Sequence, residues 1–213
     1  MWYNGKNWKL CKKGKVSFTL KSRYIEDYEL VALKEAFDNP SLYLPFEVAL
    51  STGLRIGDVL KIRKEDIRDG RLYYVAEKTG KSGCVALTSE LADKLIKNAN
   101  KSVWCFPSPK KRGKHLTRQA AWSRLKNVAK KLGSEANVVS DGISPHSYRK
   151  TFAVDLFKRE GITAVMSALQ HSNIQTTELY ALSDFISGAN AEKPLLRKDI
   201  PYIVARVIEF LNR

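Results

Sequence analysis

The residues best suited to chemistry in this 213-residue chain lie between Ile143 and Leu182, in the run ISPHSYRKTFAVDLFKREGITAVMSALQHSNIQTTELYAL, which holds two of the three histidines. His146 and Arg149 stand three apart, so on a helix they share one face. Pro145 does not continue a preceding helix but suits a helix start, which puts the pair in the first turn of a helix running to about Glu160. A helix N-terminus offers partial positive charge and free N–H donors, and an imidazole and a guanidinium set there make a site for an anion such as a phosphodiester. After a break at Gly161, the apolar run Ala164, Val165 and Leu169 brings His171 to the next turn, and Ser172 and Asn173 can cap a further helix that carries Tyr180. Taken singly, a His-x-x-Arg pair is an ordinary surface feature and a tyrosine an ordinary core residue. Only partners from distant parts of the chain turn them into a phosphate-transfer site.

The elements that must hold those partners can be read in order. Glu26 to Phe37 is an amphipathic helix with Tyr28, Leu30, Val31, Leu33, Ala36 and Phe37 on its apolar face, closed by Asp38-Asn39-Pro40. Ser41 starts a second, more buried helix through Leu50. Gly53 suits a left-handed cap that turns Arg55 out of the core, and Ile56 to Ile62 resumes as helix with Asp58 three residues after Arg55. Arg71 to Glu77 and Cys84 to Leu87 are β-rich runs around the turn-forming Lys78-Thr79-Gly80-Lys81-Ser82-Gly83. A helix follows from Ser89 to about Lys97. A basic loop, Pro107 to Lys114, then leads into a long helix, His115 to Leu132, with an apolar stripe of Leu116, Ala120, Ala121, Leu125, Val128, Ala129 and Leu132. Its opposite face carries Arg118, Arg124, Lys126, Lys130 and Lys131. With Lys110, Lys111, Arg112 and Lys114 of the loop, and almost no acid to balance them, these residues are expected to face DNA.

Three stretches together resemble the tyrosine recombinases, the phage-integrase family. STGLRIGDVLKIRKEDI, Ser51 to Ile67, resembles the first box, Thr-Gly-x-Arg-x-x-Glu, with Arg55 as its arginine. YYVAEKTGKSGCVALT resembles the hairpin that carries the family's lysine; the Lys-Thr-Gly pattern favours Lys78, with Lys81 the rival in the same turn. PHSYRKTFA followed by LQHSNIQTTELY resembles the second box, with His146, Arg149, His171 and a nucleophilic Tyr180 in that order. Asp58 stands where the family has an acid, usually Glu, that buttresses the arginine, and it is shorter by one methylene. Lys150 replaces a common His and is expected to add charge near the DNA; Gln170 stands where Gly usually precedes the histidine.

What the resemblance implies is strand exchange without hydrolysis. Such a reaction needs a nucleophile that stores the bond energy, neutralisation of the nonbridging oxygens, and an acid for the leaving alkoxide. Tyr180 would form a 3′-phosphotyrosyl link, Arg55 and Arg149 would hold the equatorial oxygens with charged guanidinium forks, and Lys78 would protonate the 5′-oxygen. His146 and His171 would hydrogen-bond the phosphate and take the tyrosine proton. No Asp/Glu cluster sits among the motifs, so neither a metal nor another cofactor is expected, ATP included. The implied fold is α+β, mostly helical with a small antiparallel sheet. The expected organisation is a basic arm over residues 1–25 with a short strand around Val16 to Leu20, a catalytic domain over 26–183, and a linker with a C-terminal helix over 184–213. That last helix, Ile200 to Leu211, is too apolar to stand free in water, and in the family such a helix docks on the neighbouring protomer. Residues 1–25 are too few for the helical core-binding domain that most members place ahead of the catalytic one, so either a fragment or a minimal recombinase of the fimbrial-switch type is expected.

Composition agrees on the partner. Lys and Arg number 37 against 22 Asp and Glu, a net charge of +15, and such a surplus on a folded domain draws in a polyanion. No stretch approaches the ~20 apolar residues of a membrane span, and no signal peptide opens the chain, so a cytoplasmic, nucleoid-associated protein is expected. The three cysteines, Cys11, Cys84 and Cys105, show no Cys-x-x-Cys spacing and read as reduced thiols. The expected partner is double-stranded DNA, with a homo-tetramer on synapsed DNA and a monomer without it. Two other readings stay open at this point: a type IB topoisomerase-like enzyme with the same residue chemistry, and a DNA-binding regulator with a silent site.

Overall fold

Side chains close the first turn at most of the helix starts in the computed structural model, which describes residues 22–135 and 142–169. Helix α1 (Asp27–Glu35) opens on a capping box in which the Glu29 carboxylate accepts the Glu26 N–H at 3.1 Å. Helix α2 (Pro40–Thr52) opens on Asn39, whose side chain accepts the Ser41 N–H at 2.8 Å, with proline in the first position. A short helix α3 (Ile56–Val59) follows, then a 3₁₀ turn (Lys64–Asp66) and three strands: β1 (Ile67–Arg68), β2 (Arg71–Val75) and β3 (Ser82–Ala86). Thr88 caps α4 (Ser89–Ala99) by accepting from Leu91 N at 3.3 Å. The two long helices are α5 (Arg118–Glu135) and α6 (Pro145–Ala168). The architecture is α+β, as the sequence suggested: mostly helical with a three-stranded antiparallel sheet in the order β1-β2-β3.

Helix α2 packs along α6, and the core between them is aromatic. Phe46 of α2 stacks on Tyr148 of α6 with ring centroids 5.1 Å apart, and Tyr43 meets the same ring edge-on at 6.1 Å. Leu33, Leu95 and Leu125 bring α1, α4 and α5 into the same core, and Leu72 anchors the sheet to it. A smaller cluster, Ala153, Leu156, Val165 and Leu169, lies along α6 on both sides of the expected break. That break is found at Gly161, with φ 79° and ψ −176° inside the helix.

Four expectations are corrected. Residues 22–25 do not belong to a separate arm: Ile25 is buried, its N–H donates to Thr151 Oγ1 at 2.8 Å, and Arg23 N donates to Gly142 O at 3.2 Å, so these residues are part of the folded unit. The inner face of α1 is the predicted one only in part: Leu33 and Phe37 are buried, but Tyr28 and Val31 are exposed, and Glu29 is fully buried with a two-pronged grip from Arg23 at 2.5 and 2.7 Å. The long helix starts at Arg118 rather than His115, since His115 pairs with Pro107 across the basic loop and the Thr117 hydroxyl accepts the Ala120 N–H at 3.2 Å. Lys150 does not face a DNA surface. It is 5% exposed, and its ammonium donates to the Ser22 carbonyl, a bond that ties the segment before α1 to α6. The remaining stretches of the basic arm, including Val16 to Leu20, and of the C-terminal helix lie outside the described residues.

Candidate active site

One cleft, of about 370 Å³, gathers Arg55, Lys78, His146 and Arg149 from three separate parts of the chain. Each arrives by a local device. Gly53 ends α2 in the left-handed conformation at φ 68°, with its N–H donating to Ala49 O, and the chain then reverses so that Arg55 becomes the N-cap of α3. Any other residue at position 53 would force a shift, because a Cβ there would lie 2.4 Å from Phe152 Cδ1 of α6. This close approach brings the Gly53 carbonyl to Arg149.

Arg149 is 4% exposed and held by two backbone acceptors: Nη1 donates to Gly53 O at 2.5 Å and Nη2 to Leu169 O at 3.3 Å. The guanidinium is thereby fixed to the end of α2 and to the far end of α6. His146 sits in the first turn of α6 as expected, with its N–H donating to Ser144 Oγ, the N-cap, at 3.2 Å. The half-buried Arg55 opens to the same space.

Lys78 is delivered by the β2–β3 hairpin. Val75 pairs with Ser82 at the end of the ladder, Ala76 O accepts from both Thr79 N and Gly80 N, and Gly80 supplies the positive φ of 66° that reverses the chain. Lys78 lines the cleft, whereas Lys81 is exposed and does not.

Asp58 does something other than the expected buttressing of Arg55. It is buried at 7% exposure, and its Oδ1 accepts the Glu77 N–H at 2.9 Å. Among the described residues it makes no ion pair with the Arg55 guanidinium. The carboxylate therefore ties the first box to the hairpin one residue before Lys78. The shorter side chain reaches a backbone N–H on the neighbouring element.

Several lining residues had no signal strong enough to single them out in sequence. Glu77 lines the cleft, and its carboxylate is ion-paired with Lys61 at 3.0 Å, which holds it below the usual carboxylate range; Arg118 and His115 add weaker pulls in the same direction. Tyr74, on the inward side of β2, is half-buried within the fields of Arg149 and Arg55. Burial pushes its phenol up, and the two guanidinium groups oppose that. Strand alternation could have found it, since Leu72 and Tyr74 share the inner side. Ile56, Gly57 and Pro145 complete the walls with Arg118, which was expected on the outer face of α5.

Of the other residues expected to face DNA, Lys110, Lys111, Arg112, Lys114, Lys126 and Lys130 are exposed and Arg124 is half-buried. The basic loop is closed on itself by Ser108 N donating to Lys114 O at 2.8 Å. It is anchored by Trp104, whose Nε1 donates to Gly113 O at 3.0 Å under the Arg63 guanidinium. His171 and Tyr180 lie outside the described residues. Among the described residues, no three His, Cys, Asp or Glu side chains gather as a metal site, and no helix is long and apolar enough to cross a membrane.

Comparison with known proteins bears on the family and the fold. Residues 23–185 match the phage integrase family. The tyrosine recombinase XerD of Bradyrhizobium diazoefficiens is 34% identical over 155 residues, covering 65% of this chain and 47% of the relative. Two solved structures share the fold. A lambda integrase dimer bound to a COC′ core site has a TM-score of 0.63 at 22% identity, over 76% of this chain and 48% of that one. A lambda integrase tetramer bound to a Holliday junction has a TM-score of 0.59 at 21% identity, over 72% and 48%. The chain spans about half the length of the curated relatives it matches.

Proposed function

The chain belongs to the phage integrase family, and on that footing we propose that it carries the catalytic centre of a site-specific recombinase, one that cuts and rejoins double-stranded DNA through a 3′-phosphotyrosyl intermediate without metal or ATP. The observation that carries the reading is the meeting of Arg55, Lys78, His146 and Arg149 in one cleft. Two guanidinium groups, an ammonium and an imidazole around one small space fit a phosphodiester and its pentacoordinate transition state better than any neutral ligand.

The roles follow from the positions. Arg149, already held by two carbonyls, keeps its orientation without reorganising when charge builds on the nonbridging oxygens. Arg55, half-buried opposite it, completes the clamp. Tyr180 Oη attacks phosphorus, the bond to the 5′-oxygen breaks, and Lys78, on an exposed turn able to follow the leaving group, gives that oxygen its proton. His146, with His171, receives the phenolic proton. Reversal with a different 5′-hydroxyl releases the tyrosine and joins the new strands. Site-specific recombination pairs two duplexes, so the functional assembly is proposed to be a homo-tetramer on DNA, with the helix Ile200 to Leu211 of one copy docked on the next around a closed ring.

A denaturing gel tests the nucleophile. Supercoiled plasmid carrying paired target sites should give a Tyr180-dependent, denaturation-resistant adduct and recombinant products, and Tyr180→Phe should bind DNA as well as the parent while forming no adduct. An adduct with the Phe variant sinks the assignment. Relaxation without recombinants would point instead to a topoisomerase-like activity.

A further inference from the structure

We propose that Arg118 is a third phosphate-contacting guanidinium of this cleft and that Gly57 positions it, an inference that rests on the cleft receiving DNA. Arg118 is the first residue of α5, and it lines the same space as Arg55, Lys78 and Arg149. Its stem packs tightly where residue 57 has no side chain. A Cβ on residue 57 would come within 3.1 Å of Arg118 Cδ and 3.4 Å of Glu77 Oε2. The arginine stem thus lies directly on the backbone of α3, where alanine would otherwise be the better helix former.

The charges point the same way. Two acids line the cleft, and both are engaged elsewhere: Asp58 on the Glu77 N–H and Glu77 on Lys61. Among the described residues Arg118 forms an ion pair with neither and exerts only a weaker pull on Glu77, so its charge stays available to an anion that enters. Arg55 and Arg149 suffice for the two nonbridging oxygens of one phosphate. A third guanidinium in the same cleft therefore reaches the neighbouring phosphate of the strand, and sets its register against the reacting one.

The test needs no knowledge of the target site. In a Tyr180→Phe background, binding to a short random-sequence duplex is measured across a salt series. Each phosphate contact contributes about 0.9 to the slope of log affinity against log salt, so Arg118→Gln should flatten the slope by about that amount. Near 0.1 M salt it should weaken binding about tenfold. Gly57→Val, which pushes the stem aside, should flatten the slope similarly when Arg118 is present and leave it unchanged in Arg118→Gln protein. A partly unfolded preparation loses binding amplitude rather than slope, so misfolding does not imitate the result. Should Gly57→Val not fold, Gly57→Ala should give a smaller affinity loss that vanishes in the Arg118→Gln background. An unchanged slope in Arg118→Gln overturns the contact, and an equal effect of the position 57 substitution in both backgrounds overturns the positioning. Failure of the recombinase reading itself shows separately, as absence of the Tyr180-dependent adduct.

Discussion

Replacing Gly53 by alanine isolates the joint between α2 and α6 on which the arginine clamp depends. Two independent costs apply. The residue sits at φ 68°, where an L side chain pays about 1–2 kcal/mol. The added Cβ also falls 2.4 Å from Phe152 Cδ1, so the ring or the helix must move, an overpacking cost of about 1–3 kcal/mol. Together they remove roughly 2–5 kcal/mol, a large part of a typical domain's stability. At about 2–4 °C per kcal/mol for a chain of this size, the midpoint of thermal unfolding should fall by roughly 4–20 °C. The two terms separate in a Phe152→Leu background, where the clash is relieved and only the backbone cost of about 1–2 kcal/mol should remain. Because Gly53 O is the acceptor of Arg149 Nη1, adduct formation should fall further than the folded fraction does, by about 100-fold for a displacement near 1 Å. Circular dichroism melting and a quantitative adduct assay on the same preparations supply both readings. If Gly53→Ala melts with the parent, the reasoning from close approach and positive φ is wrong. If activity merely tracks the folded fraction, the carbonyl is not what orients Arg149.

The remaining predictions address the acid, the buried thiol and the tail. Lys78→Ala should cleave a normal phosphodiester poorly and recover on a 5′-bridging phosphorothiolate, whose sulfur leaves without a proton; recovery of Lys81→Ala instead would move the role to Lys81. Burial pushes the Cys105 thiol from 9.0 up to about 12, so the folded state keeps a proton that the unfolded chain releases above pH 9. Stability should therefore decline as pH rises from about 9 toward 12. A Cys105→Ala variant should lose that slope in alkaline denaturation curves, and an identical slope would refute the attribution. In a Cys11→Ser background at neutral pH, a thiol reagent should label the exposed Cys84 quickly and Cys105 only on unfolding, which rapid labelling of both would contradict. Deleting residues 184–213 should leave single-site DNA binding nearly intact and abolish synapsis and strand exchange; a truncated protein that pairs sites as well as the full chain would end the trans-docking proposal.

What the amino-acid sequence determines by itself is local. Pro145 marks a helix start, Gly53 a left-handed stop, Gly161 a break, and Lys78-Thr79-Gly80 a turn, because each depends on the φ preference of one residue or a few adjacent ones. The resemblance of three stretches to the family's motifs also named Arg55, Lys78, His146 and Arg149, which meet in the cleft. Side-chain destinations across elements were another matter. Lys150 looked like one more exposed cation, and the fold buries it against the carbonyl of Ser22. Glu29 is charged yet fully buried, and a facing Arg23 makes its burial possible. Asp58 was expected on Arg55 and meets the Glu77 N–H, while Arg118 was expected on an outer helix face and enters the cleft over Gly57. The periodicity of a helix reports which of its own faces is apolar. It carries no record of which atom of another element, distant in sequence, will stand opposite a given charge, and only the packing of α2, α3, α5, α6 and the hairpin against one another decides that.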